Sequence, residues 1–278
     1  MPKADNLTID NSSISLLFKG PYGYHKTCSA VTFALEGPIF LAYIDKNQPI
    51  ELDHFFRRIL KRPEALKNIE YECYSSKNIN QYVNKLMEFV KYCDKIAIIT
   101  DSATNFTTAA VNWSLGFRNS SGPKKDPLAP DSLRFTPDWD EYKIETSMIT
   151  QALDLQRAIK TYNIWTAHPI TSIDMGSSEG GKVERISKVK KIVSYGSKVG
   201  EIIPGQFSEV YHFSTLNQWN PSIGKATVKR LVSPVGIGDD FAKSNLGLTE
   251  EMDITDRPFY EVWKDQINKL KKSYEDSK

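Results

Sequence analysis

The feature that most constrains this chain is an eight-residue turn, Gly20-Pro21-Tyr22-Gly23-Tyr24-His25-Lys26-Thr27. It lies between an apolar, strand-like run at 14–18 and a helix-like stretch at 27–35. The spacing approaches that of a phosphate-binding loop, G-x-x-x-x-G-K-[ST], whose backbone amides and helix N-terminus bind phosphate oxygens. In such a loop Gly20 and Gly23 let the backbone turn tightly. Lys26 reaches the β- and γ-phosphates of a nucleotide, and the Thr27 hydroxyl holds magnesium. His25 stands where the pattern has a second obligatory glycine, the residue that lets backbone approach phosphate in unusual conformations.

Strand-like and helix-like segments alternate along the rest of the chain, which favours an α/β fold. Residues 39–44 and 95–100 are almost wholly apolar, as strands buried on both faces of a parallel sheet are. Residues 51–62 read as a charged amphipathic helix and 69–74 as a short strand. Residues 80–92 read as a helix with Val83, Leu86, Met87 and Val90 on one face. The Pro-rich stretch 118–137 is a surface insertion. A long helix is expected over 139–162, then a buried strand at 163–167 stopped by His168-Pro169. Residues 210–213 and 226–232 are late strands paired with each other, and a charged helix closes the chain from 257.

Composition sets the class. The chain has 278 residues, 40% hydrophobic and 25% charged, with a net charge of +2, enough for a large α/β core. That balance excludes a uniformly basic coat for nucleic acid. The polar first residues lack the apolar core of a secretory signal, and no apolar run reaches the ~18 residues of a bilayer span. A cytoplasmic protein without a membrane partner is therefore expected. Cys28, Cys73 and Cys93 have neither zinc nor disulfide spacing and read as free thiols. His25, His54 and His212 show no metal spacing.

The apolar strand at 95–100 runs into Asp101-Ser102. A carboxylate there can hold Mg2+ opposite Thr27, usually through water. Taken in order, GPYGYHKT at 20–27, IAIITDS at 96–102, IWTAHP at 164–169, QFSEVYHF at 206–213 and DDFAKSNLGL at 239–248 resemble a known family. It is the RecA-like P-loop ATPases encoded by bacteriophages, a group associated with single-strand annealing and recombination. The resemblance covers about residues 12–250. It implies a RecA-like P-loop NTPase core at 12–250, with an N-terminal tail at 1–11 and a helical tail at 251–278. The core would be a mainly parallel sheet flanked by helices, with late antiparallel strands.

The resemblance further implies ATP and Mg2+, single-stranded DNA, and a homo-oligomer, ring or filament, with the nucleotide between neighbours. Phage recombination proteins would be further partners. By position, Lys26 and Thr27 bind phosphate and metal, and Asp101 is the metal carboxylate. His168 takes the place of a polar sensor that reports the γ-phosphate to DNA-binding loops. Arg230 or Lys243 would reach a neighbour's γ-phosphate in trans. Three positions depart from the family: His25 for the loop glycine, Asn47 for the glutamate that polarises the attacking water, and Asn245 for a late arginine. An amide cannot act as a general base; Asp45 and Glu51 are the nearby carboxylates that could stand in. The alternative to an ATPase is a P-loop scaffold that assembles or binds DNA without turnover. A DNA-packaging or helicase motor shares the same core.

Residues 172–200 are polar, Gly-rich and basic. Between 182 and 198 the residues Lys182, Arg185, Lys188, Lys190, Lys191 and Lys198 are opposed only by Glu184, a net +5. This reads as a mobile loop that neutralises phosphates of single-stranded DNA, with strong salt dependence and little sequence preference.

Overall fold

The computed structural model describes residues 14–44, 49–116, 139–175, 186–194, 197–220, 224–236 and 241–276. Strands β1 (Ser15–Lys19), β2 (Ile39–Ile44), β3 (Ile69–Tyr74), β4 (Ala97–Asp101) and β5 (Tyr162–Ala167) are the first five along the chain. Then come β6 (Pro169–Met175), β7 (Ile186–Ile192), β8 (Glu209–Asn220), β9 (Lys225–Ser233), β10 (Lys243–Ser244) and β11 (Met252–Asp253). All but β6 and β7 join one nine-stranded sheet, in the order β11-β9-β8-β1-β5-β4-β2-β3, with β10 on β8. The block from β3 to β8 is parallel; β9, β10 and β11 are antiparallel additions. This mixed architecture, a mostly parallel sheet flanked by helices with late antiparallel strands, is the layout expected of a RecA-like core.

The two faces of β2 show why the central strands are so apolar. Ile39, Leu41 and Tyr43 belong to one core layer, and Phe40, Ala42 and Ile44 to the other. Burial on both faces leaves no position for a polar residue. The first layer packs under α1 (Lys26–Val31), which tightens into a 3-10 turn at Thr32–Leu35, and under α7 (Phe259–Asp276). From α7 come Phe259, Tyr260, Trp263 and Ile267, so the closing helix belongs to the core of the domain and is not a separate tail. The second layer packs under α3 (Ile79–Lys91), α4 (Ala103–Leu115) and α5 (Trp139–Ala158).

Two expectations change in detail. The helix at 51–62 is a short α2 (Ile50–His54) followed by a π-helical turn, Phe55–Ile59. The buried face of α3 is Ile79, Tyr82, Val83, Leu86 and Phe89, while Met87 and Val90 are exposed. The large rings of Tyr82 and Phe89 bury more surface and set the rotation of the helix.

The basic stretch 172–200 is corrected more substantially. Its described part is not a loop: β6 and β7 form an antiparallel ribbon with Pro169 opposite Ile192 and Met175 opposite Ile186, and α6 (Ser197–Ile202) follows. Ile170, Thr171, Ile173, Ile186, Val189 and Ile192 supply the β-branched residues that favour extended backbone. Among the described residues no helix is long and apolar enough to cross a membrane.

Candidate functional site

The turn between β1 and α1 keeps a loop shape that glycine normally provides. A Cβ on Gly20 would fall 2.6 Å from the carbonyl oxygen of Phe213, so only glycine passes there. Gly23 has φ 79°. His25 adopts φ 57° and ψ 21°, the left-handed region, immediately before α1. The histidine thus takes up the backbone conformation expected of the missing glycine, and histidine is among the side chains that enter that region more readily than most. Burial, with the Arg230 charge second, lowers the His25 pKa below the ordinary 6.5, so the ring is neutral at pH 7.

Strand alternation gathers the rest of the site. Ile164, Thr166 and His168 follow each other on the α1 side of β5 and its end, and β5 lies between β1 and β4. The Thr166 hydroxyl donates to Oδ1 of Asp101, and Thr27 Oγ1 donates to Asp101 Oδ2 at 3.0 Å. Lys26 Nζ donates to the carbonyls of Gly20 and Pro21, each at 2.7 Å, and lies 3.3 Å from His168 Nδ1. The Tyr22 ring stacks on His168 with centroids 3.7 Å apart and planes 20° from parallel. The backbone N–H of His168 donates to Thr104 Oγ1 at 3.2 Å.

These groups border an open cleft of about 310 Å³ at the C-terminal ends of the parallel strands, the usual ligand position in such sheets. Glu51, from the first turn of α2, joins Asp101 as a second carboxylate on its wall. The Tyr43 hydroxyl donates to Glu51 Oε1, and burial, then Glu51 itself, pushes that hydroxyl well above its usual pKa. Asn105 closes the far wall and donates to the carbonyl of Ile44 at 2.9 Å. A hydroxyl and a carboxylate 3.0 Å apart form a hard-oxygen donor pair suited to Mg2+, which is usually held by one or two carboxylates plus substrate phosphates. Among the described residues no group of three His, Cys, Asp or Glu could hold a metal by itself.

The chain is similar in structure to a KaiC-like protein from the hyperthermophilic archaeon Pyrococcus horikoshii. The identity is 13%, the match covers 89% of this chain and 88% of that one, and the TM-score is 0.47. No family model matches, and no curated protein does either.

Of the residues singled out in the sequence, Gly23, His25, Lys26, Thr27, Asp101 and His168 meet at this cleft. Asp45, Asn47, Lys182 and Arg185 lie outside the described residues. Lys188, Lys190 and Lys191 lie on β7. Lys243 pairs with Val210 across β10 and β8. Arg230 lines a second cleft of about 230 Å³, which also has His25 and Cys28 on its wall and so adjoins the first. Its Nη1 donates to the Thr255 carbonyl at 3.4 Å, and its Nε is buried without a partner. Sequence reasoning passed over Tyr22, Tyr43, Asn105 and Thr166. Tyr22 was within reach, since it sits inside the loop itself.

Proposed function

We propose that the chain binds ATP with Mg2+ at the loop of residues 20–27 and acts on single-stranded DNA in phage recombination or replication. The observation that carries the nucleotide reading is the convergence of Lys26, Thr27 and Asp101 at one cleft. Lys26 is buried and fixed by backbone carbonyls, so its charge is already in place for a phosphate without a rearrangement of the fold. Thr27 and Asp101 would hold the metal, which would neutralise charge on the transferring phosphoryl group. His168, stacked under Tyr22 and beside Lys26, is positioned to respond when a phosphate takes over the Lys26 ammonium.

For hydrolysis, Glu51 is the wall carboxylate left over once Asp101 is committed to the metal. Tyr43 orients it, and it would accept a proton from the attacking water. The neutral second cleft wall of Phe55, Ile59 and Pro258, reached past His25 and Cys28, has room for the base and sugar. A scaffold without turnover is the second reading, favoured by Asn47 in place of the family's glutamate.

The test is equilibrium binding of a fluorescent ATP analogue with and without Mg2+. Wild type should bind in a Mg2+-dependent way, and Lys26→Ala should lose at least tenfold in affinity. Equal binding by the two proteins removes the phosphate-loop assignment. ATPase rates with and without single-stranded DNA then separate turnover from scaffold.

A further inference from the structure

Past Phe213 and Val232, both buried, the β8–β9 pair extends out of the core as a two-stranded arm. The pairing of β8 with β1 ends at His212, that with β10 at Val210, and that of β9 with β11 at Leu231. Beyond these points every residue of 216–219 and 226–229 is exposed. Opposed residues of an antiparallel pair share a face. One face therefore carries Asn217 and Val228, then Trp219 and Ala226; the other carries Leu216 and Lys229, then Gln218 and Thr227.

Two observations need an occupant. Trp219 is 64% exposed although it is the largest apolar side chain on the arm, with Leu216 and Val228 beside it at 52% and 44%. The charge is one-sided as well. Residues 210–238 contain Lys225, Lys229 and Arg230 and no Asp or Glu, in a chain that otherwise balances its charges. A protein–protein interface core is depleted in lysine, and Asn217, Gln218 and Thr227 would add polar groups to desolvate. An indole presented in water between lysines and amides instead matches a polyanion with flat apolar bases.

We infer that the β8–β9 arm binds single-stranded nucleic acid, with a base stacked on Trp219 and backbone phosphates met by Lys225 and Lys229. An unpaired strand is required because the indole needs the open face of a base, which a duplex keeps stacked. The inference rests on the nucleic-acid part of the proposed function, and gives it a surface separate from the basic β7. The arm is rooted beside the nucleotide cleft, since Arg230 lies one residue inside Lys229 and shares a cleft wall with His25.

The test is anisotropy of a labelled oligo(dT) with the full chain at low and moderate salt, alongside mass measurement by light scattering. Trp219→Ala should weaken binding about tenfold or more, the usual loss for one stacking platform, and Trp219→Phe should restore most of it. Lys225→Glu with Lys229→Glu should weaken binding and flatten the salt dependence. Trp139→Ala, a control at an equally exposed tryptophan on α5, should change nothing. Unchanged affinity in Trp219→Ala, with loss in a Lys188, Lys190, Lys191 triple variant, overturns the arm and leaves the DNA reading standing. A changed mass with unchanged affinity makes the arm an interface between copies and overturns the inference. No oligo(dT) binding by wild type removes the DNA reading and the arm together, while leaving the ATP measurement untouched.

Discussion

Replacing His25 by alanine and by glycine isolates the backbone question on which the phosphate loop depends. Both variants lose the imidazole and its proximity to Arg230, so they differ only by a Cβ at φ 57°. In the left-handed region an L-residue pays roughly 1–2 kcal/mol that glycine does not. Glycine's extra freedom in the unfolded chain returns about 0.5–1 kcal/mol. The balance leaves His25→Gly more stable than His25→Ala by about 0.5–1 kcal/mol, or a few degrees in Tm for a chain of this size. Were residue 25 in ordinary helical conformation, the order would reverse, because alanine there is favoured by about 1 kcal/mol. The sign alone is therefore diagnostic. Urea midpoints and thermal melts of the two variants at pH 7.5 measure it, with ATP affinity as the functional companion. His25→Gly should bind ATP at least as tightly as wild type, since the loop shape is kept. If His25→Ala proves as stable as His25→Gly, residue 25 is not left-handed and the glycine replacement is not accommodated.

Three further outcomes are expected. Glu51→Gln should lower ATP turnover by about 10²–10⁴-fold while leaving the ATP dissociation constant within a few-fold; unchanged turnover in a protein that does hydrolyse ATP places the base elsewhere. Glu209 is fully buried and accepts from Tyr211 Oη at 2.7 Å and Leu246 N at 3.0 Å, while Tyr211 Oη accepts from Trp263 Nε1 at 2.8 Å. Glu209→Ala strands these donors and should cost about 3 kcal/mol or more in urea unfolding; a loss under 1 kcal/mol means the network carries little. His25 has a folded pKa below 6.5, so the unfolded chain takes up its proton first on acidification. Its contribution is complete above pH 6.5 and is lost as pH falls below it. Between pH 7.5 and 5.5 the urea midpoint of wild type should therefore fall further than that of His25→Gly, and parallel shifts would exclude His25 as the source.

The parallel sheet is legible in the sequence because β2 and β4 are apolar at consecutive positions, a pattern that only burial on both faces explains. The late strands are legible as strands, but their environment is not. Residues 226–232 alternate as a half-buried strand would, yet Val232 is in the core and Val228 is in water. Alternation reports which residues share a face, and carries no information on where along its length a strand leaves the body. The ribbon β6–β7 was hidden by a different effect: its lysines dominate the composition, while the β-branched residues between them set the backbone.

The site divides in the same way. Lys26, Thr27 and Asp101 follow from local rules, because each sits at the end of an element whose type the sequence reveals. Their meeting does not follow, since nothing in the sequence says that β5 is inserted between β1 and β4. That insertion gives Thr166 its bond to Asp101 and brings His168 to within 3.3 Å of Lys26. It also ties the site to the ribbon. His168 offers its ring to Lys26 and Tyr22, and its backbone carbonyl accepts from Val193 N at 2.8 Å, just past the end of β7, while Pro169 opens β6. One residue therefore anchors both strands of the ribbon and one wall of the cleft. A displacement of the imidazole that carried the backbone with it would act at the root of β6 and β7. The His-Pro pair that looks in sequence like a simple strand terminator is the covalent joint between the two.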